Sequence, residues 1–158
     1  MLSQFSHNST PTQAIRVLIA DRNRMSNQLL AESLGRDPRF EIVALATPVD
    51  ILSIVTTLLP HLALISTDFD CAAKKGLQVA RSLNGRHPSV RIVILLEMST
   101  QKSVMGAFRC GAAGVFCRTE SLSELPLVLS VSVGASKCFP AMRENHFPAL
   151  SKTSFLAH

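Results

Sequence analysis

A chain of 158 residues with 47% apolar side chains, lacking both Trp and Tyr, can bury a single aliphatic core without help from disulfides or a structural metal. Its net charge of +5 comes from Lys and Arg scattered between Arg16 and Lys152 with no interleaved aromatics, which argues against a dedicated nucleic-acid surface. Cys71, Cys110, Cys117 and Cys138 form no C-x-x-C pair and have no His at ligand spacing, so neither a disulfide framework nor a zinc site is expected, and no apolar run is long enough to span a membrane.

The first stretch, residues 1–13, is polar, lacks the apolar centre of an export signal, and is expected to be a disordered leader of a cytoplasmic protein. Ile15 to Ala20 is a continuous apolar run, as expected of a strand buried on both faces, and it stops on the carboxylate of Asp21. Met25, Leu29, Leu30 and Leu34 then recur at helical spacing, with Gly35 closing that helix before Asp37-Pro38. A second strand is predicted over 40–46. Thr47-Pro48 is a cap and first-turn pair for a helix running to Leu59, before Pro60.

The third strand is predicted over 61–66, ending at Ser66 and followed by Thr67, Asp68 and a loop rich in Asp and Ala. A helix with Leu77, Ala80 and Leu83 on one face ends at Asn84-Gly85. The fourth strand, 90–96, runs to Leu96-Glu97. A helix over 101–110 places Val104, Ala107 and Phe108 on its core face, and Gly111 to Gly114 lead into a short strand, Val115 to Cys117. A last helix is predicted over 121–134, with Pro126 inside it. Five strands alternating with helices imply a doubly wound parallel α/β sheet, whose working site lies beyond the carboxyl ends of the strands. That rule singles out Asp21, the segment from Ser66 to Asp70, and Leu96-Glu97.

Three tracts carry a resemblance. Ile15-Arg16-Val17-Leu18-Ile19-Ala20-Asp21, Arg86-His87-Pro88-Ser89-Val90-Arg91-Ile92-Val93 and Ala107-Phe108-Arg109-Cys110-Gly111-Ala112-Ala113-Gly114-Val115-Phe116 make residues 14–140 resemble a response-regulator receiver domain of CheY-like type, closest to those heading NarL/LuxR-type regulators. The resemblance implies a (βα)5 flavodoxin-like fold with strand order 2-1-3-4-5. It also implies an aspartate phosphorylated by a histidine kinase with Mg²⁺. Such a site needs two acids after the first strand as oxygen ligands for this hard ion, an acceptor aspartate ending the third, a hydroxyl ending the fourth, and a lysine after the fifth.

This chain departs from that pattern nearly everywhere. Asp21 keeps the first acid, but Arg22 stands in place of the second. Ser66 falls in the acceptor's place when the chain is counted without gaps from Pro60. If the extra length of the following loop lies before the acceptor instead, Asp68 takes that place, and the sequence leaves this register open. Leu96 replaces the hydroxyl at the switch position, and Arg118 replaces the lysine.

Arg22 or Arg118 is therefore expected to pair with Asp21 or Asp68 as a pocket cation, with no metal and no Mg²⁺ or other cofactor. Flavin or nucleotide binding would want a Gly-rich phosphate loop after the first strand, and hydrolase chemistry a G-x-S-x-G elbow; neither is present, so no enzyme activity is expected.

The expected function is an atypical, phosphorylation-independent receiver acting through protein contacts, by dimerisation or by control of a transcription output domain. The alternatives are a conventional phospho-acceptor using Asp68, which alone would need a histidine kinase partner, or the separated front end of a LuxR-type DNA-binding regulator. About 40 residues follow the fifth strand, too few for a helix-turn-helix module. Residues 141–158 are expected to be a linker or tail. The last helix is richer in apolar residues than one buried stripe requires, so part of it, centred on Leu125, Val128 and Leu129, is expected to form an interaction face, unless the tail covers it.

Overall fold

The computed structural model describes residues 13–47, 50–67 and 75–134. The leader up to residue 12, Pro48, Asp68, Asp70, Cys71, Cys138 and the expected tail at 141–158 lie outside the described residues. The chain runs β1 (Ile15–Ala20), α1 (Arg24–Gly35), β2 (Phe40–Ala46), α2 (Ile51–Leu58), β3 (Leu62–Ser66), α3 (Lys75–Arg86), β4 (Arg91–Leu96), α4 (Gln101–Arg109), β5 (Gly114–Cys117), a 3-10 turn at Leu122–Glu124, and α5 (Leu125–Gly134). All strand pairs are parallel, in the order 2-1-3-4-5. This is the order expected.

Alternation along the strands divides the core into two layers. Leu18, Ala20, Ala63, Ile65, Ile92, Ile94 and Leu96 pack against α2, α3 and α4. Val17, Ile19, Leu62, Leu64, Val93, Leu95 and Phe116 pack against α1 and α5. Successive strand residues point to opposite faces, so strands that must feed both layers read as unbroken apolar runs. Only the edge strand β2 is half-exposed along its middle, and it accommodates an extra residue at Val43, because Val17 pairs with Ile42 but Leu18 with Ala44.

Several local expectations are corrected. The second helix begins at Ile51 rather than at Thr47. Asp50 occupies its cap position, and Thr47 donates its hydroxyl to the Asp50 carboxylate at 3.0 Å instead of capping the helix. The third helix continues past Asn84-Gly85 to Arg86. On α1 the buried residues are Asn27, Leu30 and Leu34, whereas Met25 and Leu29 face outward, so the apolar spacing on that helix serves two faces rather than one.

Gly111 adopts φ 89°, which lets the chain leave α4 and turn directly into β5.

The last helix differs most. Pro126 falls in the first turn of α5, where its missing N–H breaks no helical bond. Leu125, Val128 and Leu129, expected to form an interaction face, are instead fully packed under α5 against Val17, Phe116 and their neighbours. A helix lying on a sheet face made of aliphatic residues and Phe116 uses these side chains for the core. Leu127 is the outward one, at 63% exposure. Leu125→Ala is therefore expected to cost about 2–5 kcal/mol of unfolding free energy and Leu127→Ala less than about 0.5 kcal/mol. Denaturant unfolding measures both, and equally small losses would contradict this packing.

Candidate functional site

At the carboxyl edge of the sheet, β1, β3, β4 and β5 deliver four chain segments to one place. Ala20 pairs with Ile65, and Ser66 with Leu95, so Asp21 and Ser66 leave neighbouring strands side by side. Both are buried, at 3% and 1% exposure. Arg118 directly follows β5, and its backbone N–H donates to the Leu96 carbonyl at 2.9 Å, which seats its side chain over the end of the sheet.

The guanidinium of Arg118 then joins everything around it. Nη2 forms an ion pair with Oδ2 of Asp21 and donates to the Ser66 hydroxyl at 3.1 Å. Nη1 donates to the Ser26 hydroxyl, in the first turn of α1, at 2.7 Å. Nε lies against the carboxylate of Glu97, in the loop after β4, as a close charge contact without hydrogen-bond alignment. The planar fork of arginine suits this role, since it presents several donors in fixed directions where an ammonium would present one compact charge. Burial opposes the charge on Arg118, but the hydrogen bond and attraction from Asp21, together with the charge of Glu97, outweigh it and raise its pKa. It stays protonated throughout the working pH range.

Asp21 has no oxygen to spare. Besides the Arg118 contact at Oδ2, its Oδ1 accepts the backbone N–H of Asn23 at 2.9 Å, and its own carbonyl accepts from the Asn27 side chain at 3.0 Å. Asn23 in turn caps α1 by accepting from the N–H groups of Met25 and Ser26, so the helix start and the acid are fixed together. On the far side, α3 approaches through Gly76. A Cβ there would collide with the carbonyl oxygen of Ser66, so only glycine allows this closeness.

Of the residues singled out by sequence, the structure brings together Asp21, Ser66 and Arg118. Leu96 is buried in the layer beneath α4 and contributes no polar group to the edge. Arg22 is exposed at the start of the β1–α1 loop. Asp68 lies outside the described residues. Sequence reading missed Ser26 and Glu97 as partners of Arg118. Glu97, a carboxylate immediately beyond a buried strand, is singled out by the strand-end rule as a residue of the sheet edge, though not as a partner of Arg118. Ser26 carries no comparable signal. Among the described residues, no three His, Cys, Asp or Glu side chains are grouped so as to hold a metal ion, and no helix is long and apolar enough to cross a membrane.

The chain has the fold of response-regulator receiver domains. It superposes on a LuxR-family two-component response regulator from an Aurantimonas species with a TM-score of 0.71 at 16% identity, covering 77% of this chain and 86% of that one. The receiver domain of the response regulator NarL from Mycobacterium tuberculosis gives 0.68 at 20% identity, covering 77% and 98%. The isolated receiver domain of RcsB from Salmonella enterica gives 0.69 at 16% identity, covering 82% and 95%.

In sequence, the chain is 25% identical over 124 residues to the DNA-binding transcriptional activator DevR/DosR of Mycobacterium tuberculosis, spanning 78% of this chain and 56% of that protein. It is 30% identical over 104 residues to a protein-glutamate methylesterase/protein-glutamine glutaminase of Paramagnetospirillum magneticum, spanning 64% of this chain and only 29% of that protein. The chain thus covers well under two thirds of either curated relative. No family model matches it.

The Arg118–Asp21 pair makes a direct stability prediction. Its acid is buried and its base partly exposed, so Asp21→Ala should cost about 2–3 kcal/mol, between the values for exposed and fully buried pairs. Glu97, half-exposed, should cost less than about 1 kcal/mol when replaced by Ala. Unfolding free energies in denaturant test the order. A larger loss at Glu97 than at Asp21 would contradict it.

Proposed function

We propose that this chain is a receiver-like module of two-component signalling whose phosphotransfer site has been replaced by a fixed ion-pair cluster, and that it acts through protein contacts without being phosphorylated. The observation that carries the reading is the occupancy of Asp21: one oxygen holds Arg118 and the other a backbone N–H. Mg²⁺ prefers near-octahedral oxygen ligation with several waters. Among the described residues the two carboxylates at this edge, Asp21 and Glu97, are both engaged by the Arg118 guanidinium, a set that does not fit that ion, and we assign the domain no metal cofactor.

The same cluster bears on the acceptor. We read Ser66 as standing where receivers carry their aspartate, because it is the last residue of β3 and shares Arg118 with Asp21. A hydroxyl that accepts from a guanidinium, with no general base bonded to it, is a poor nucleophile toward phosphorus. Leu96, buried, offers no hydroxyl to report a modification. Within this reading the chain is a cytoplasmic adaptor or the front part of a transcription regulator. Its partner is a protein, either a second copy or an output module. It needs no histidine kinase, makes no direct contact with nucleic acid and catalyses no reaction of its own.

Incubation with acetyl phosphate and magnesium, followed by intact-mass measurement, tests this. No added phosphoryl group is expected. A phosphoryl adduct that disappears in Asp68→Ala would overturn the reading in favour of a conventional acceptor.

A further inference from the structure

Charge is spread unevenly over the two layers of helices. From Lys75 to Arg118 the only acid is Glu97, and Arg118 engages it. Over the same stretch α3 and α4 expose Arg81, Arg86, Lys102 and Arg109, and neither helix carries an Asp or Glu. Among the described residues none of these four cations pairs with a carboxylate. The exposed acids Glu32 and Glu41 belong to α1 and β2 instead.

The two helices form one surface. Gly106 of α4 faces Leu77 of α3, since a Cβ added there would stand 3.7 Å from Cδ1 of that leucine. One turn further along α3, Arg81 lies near enough to Cys110 to act on its thiol: burial raises the Cys110 pKa, and the charge of Arg81 opposes that rise. Beyond it, the Asn84 side chain fills the space that a Cβ at Gly111 would need. Leu77, Arg81 and Asn84 thus run along a seam against Gly106, Cys110 and Gly111.

Helix stability accounts for only half of the cations on this surface. Arg86 and Arg109 stand in last turns, where a positive charge offsets the partial negative charge of the helix end. Lys102 stands in the first turn of α4, the end at which a cation is disfavoured. Arg81 has no acid three or four residues away on either side. Local choices that do not serve the fold are expected where a surface serves something else.

The sign of the charge says what covers it. Complementary charge draws a partner in, and like charge repels it. The ends of this chain do not supply the acids: residues 1–12 contain no Asp or Glu, and residues 135–158 contain only Glu144, against Lys137, Arg143 and Lys152. Stacking on bases needs exposed aromatic rings, and the one aromatic of these helices, Phe108, is buried. Half-exposed Leu77 and Gly106 give the seam an apolar floor on which peptide side chains can rest.

Resting on the reading that the module works through protein contacts, we propose that the α3–α4 seam is a docking surface, and that its occupant is an acidic segment of a partner protein.

The experiment titrates a fluorescein-labelled peptide of repeated Glu-Glu-Leu-Ser units with the full 158-residue chain at physiological salt, read by anisotropy. Folding of each variant is checked by circular dichroism and modification by intact mass. Saturable binding by the unphosphorylated chain is expected. Arg81→Glu combined with Lys102→Glu should weaken it by about tenfold or more, because like charges then face the peptide. Arg24→Glu combined with Arg36→Glu, on α1, changes the net charge equally and should weaken it by less than about twofold, since distant exposed charges are screened.

No binding by the unaltered chain overturns the proposal while leaving phosphorylation-independent contact intact. Equal weakening by the two double variants also overturns it, because net charge alone would then explain the attraction. Duplex DNA or phosphatidylglycerol vesicles binding more tightly than the peptide would assign the seam to another class of partner. Self-association in sedimentation that Arg81→Glu with Lys102→Glu abolishes would make the occupant a second copy, and either result overturns the proposal. Peptide binding found only in a phosphorylated sample overturns both the docking surface and the reading on which it rests.

Discussion

Four segments end at the carboxyl edge of this sheet, and the guanidinium of Arg118 is the group that ties them together. Two of its partners, Asp21 and Ser66, come from the ends of central strands. The other two, Ser26 and Glu97, come from the first turn of α1 and the loop after β4. Removing a buried carboxylate from water is costly unless a charge and hydrogen bonds compensate it. At this edge a side chain supplies that compensation. An arginine tethered by the backbone bond of its own N–H to the Leu96 carbonyl is always present, whereas a bound ion is present only when its concentration allows.

That difference shapes the functional reading. A site that must exchange ligands keeps open coordination and a nucleophile within reach. Here both oxygens of Asp21 are spoken for, the hydroxyl of Ser66 accepts from the cation, and Gly76 brings the α3 backbone against the Ser66 carbonyl. Such a cluster favours one arrangement over two. A fixed receiver fold is suited to presenting a permanent surface, and the outward side chains of α3 and α4 lie on the opposite layer from α1 and α5, on helices whose inner faces are fully used by the core.

How much of this was legible in the sequence follows from the range of each interaction. Strands buried on both faces leave unbroken Ile, Val and Leu runs, so β1, β3 and β4 could be read directly, whereas the order 2-1-3-4-5 followed only from the resemblance to receiver domains. Helix starts were harder. Thr47-Pro48 has the local chemistry of a helix opening, but the helix begins at Ile51 and Thr47 spends its hydroxyl on Asp50. Apolar spacing also fails to say which side of a helix is inward when both sides carry such residues. Met25 and Leu29 share the spacing of Leu30 and Leu34 yet face water, and the apolar residues of α5 divide between the core and the exposed Leu127. At the site, a pairing of Arg118 with Asp21 was among those the residues suggested. The convergence of Ser26 and Glu97 on that arginine was not, because they lie far from it in sequence and meet it only through the sheet.

The most direct test of the central claim is a Mg²⁺ titration followed through the backbone amide shifts of Asp21, Asn23, Ser66 and Arg118. If the guanidinium has taken over the charge at this edge, those amides should show only small, non-saturating drifts through the millimolar range. In a variant carrying Arg22→Asp and Arg118→Lys, which returns an acid and shortens the cation's reach, localised and saturable shifts should appear. Saturable shifts at the same amides in the unaltered chain would contradict the account.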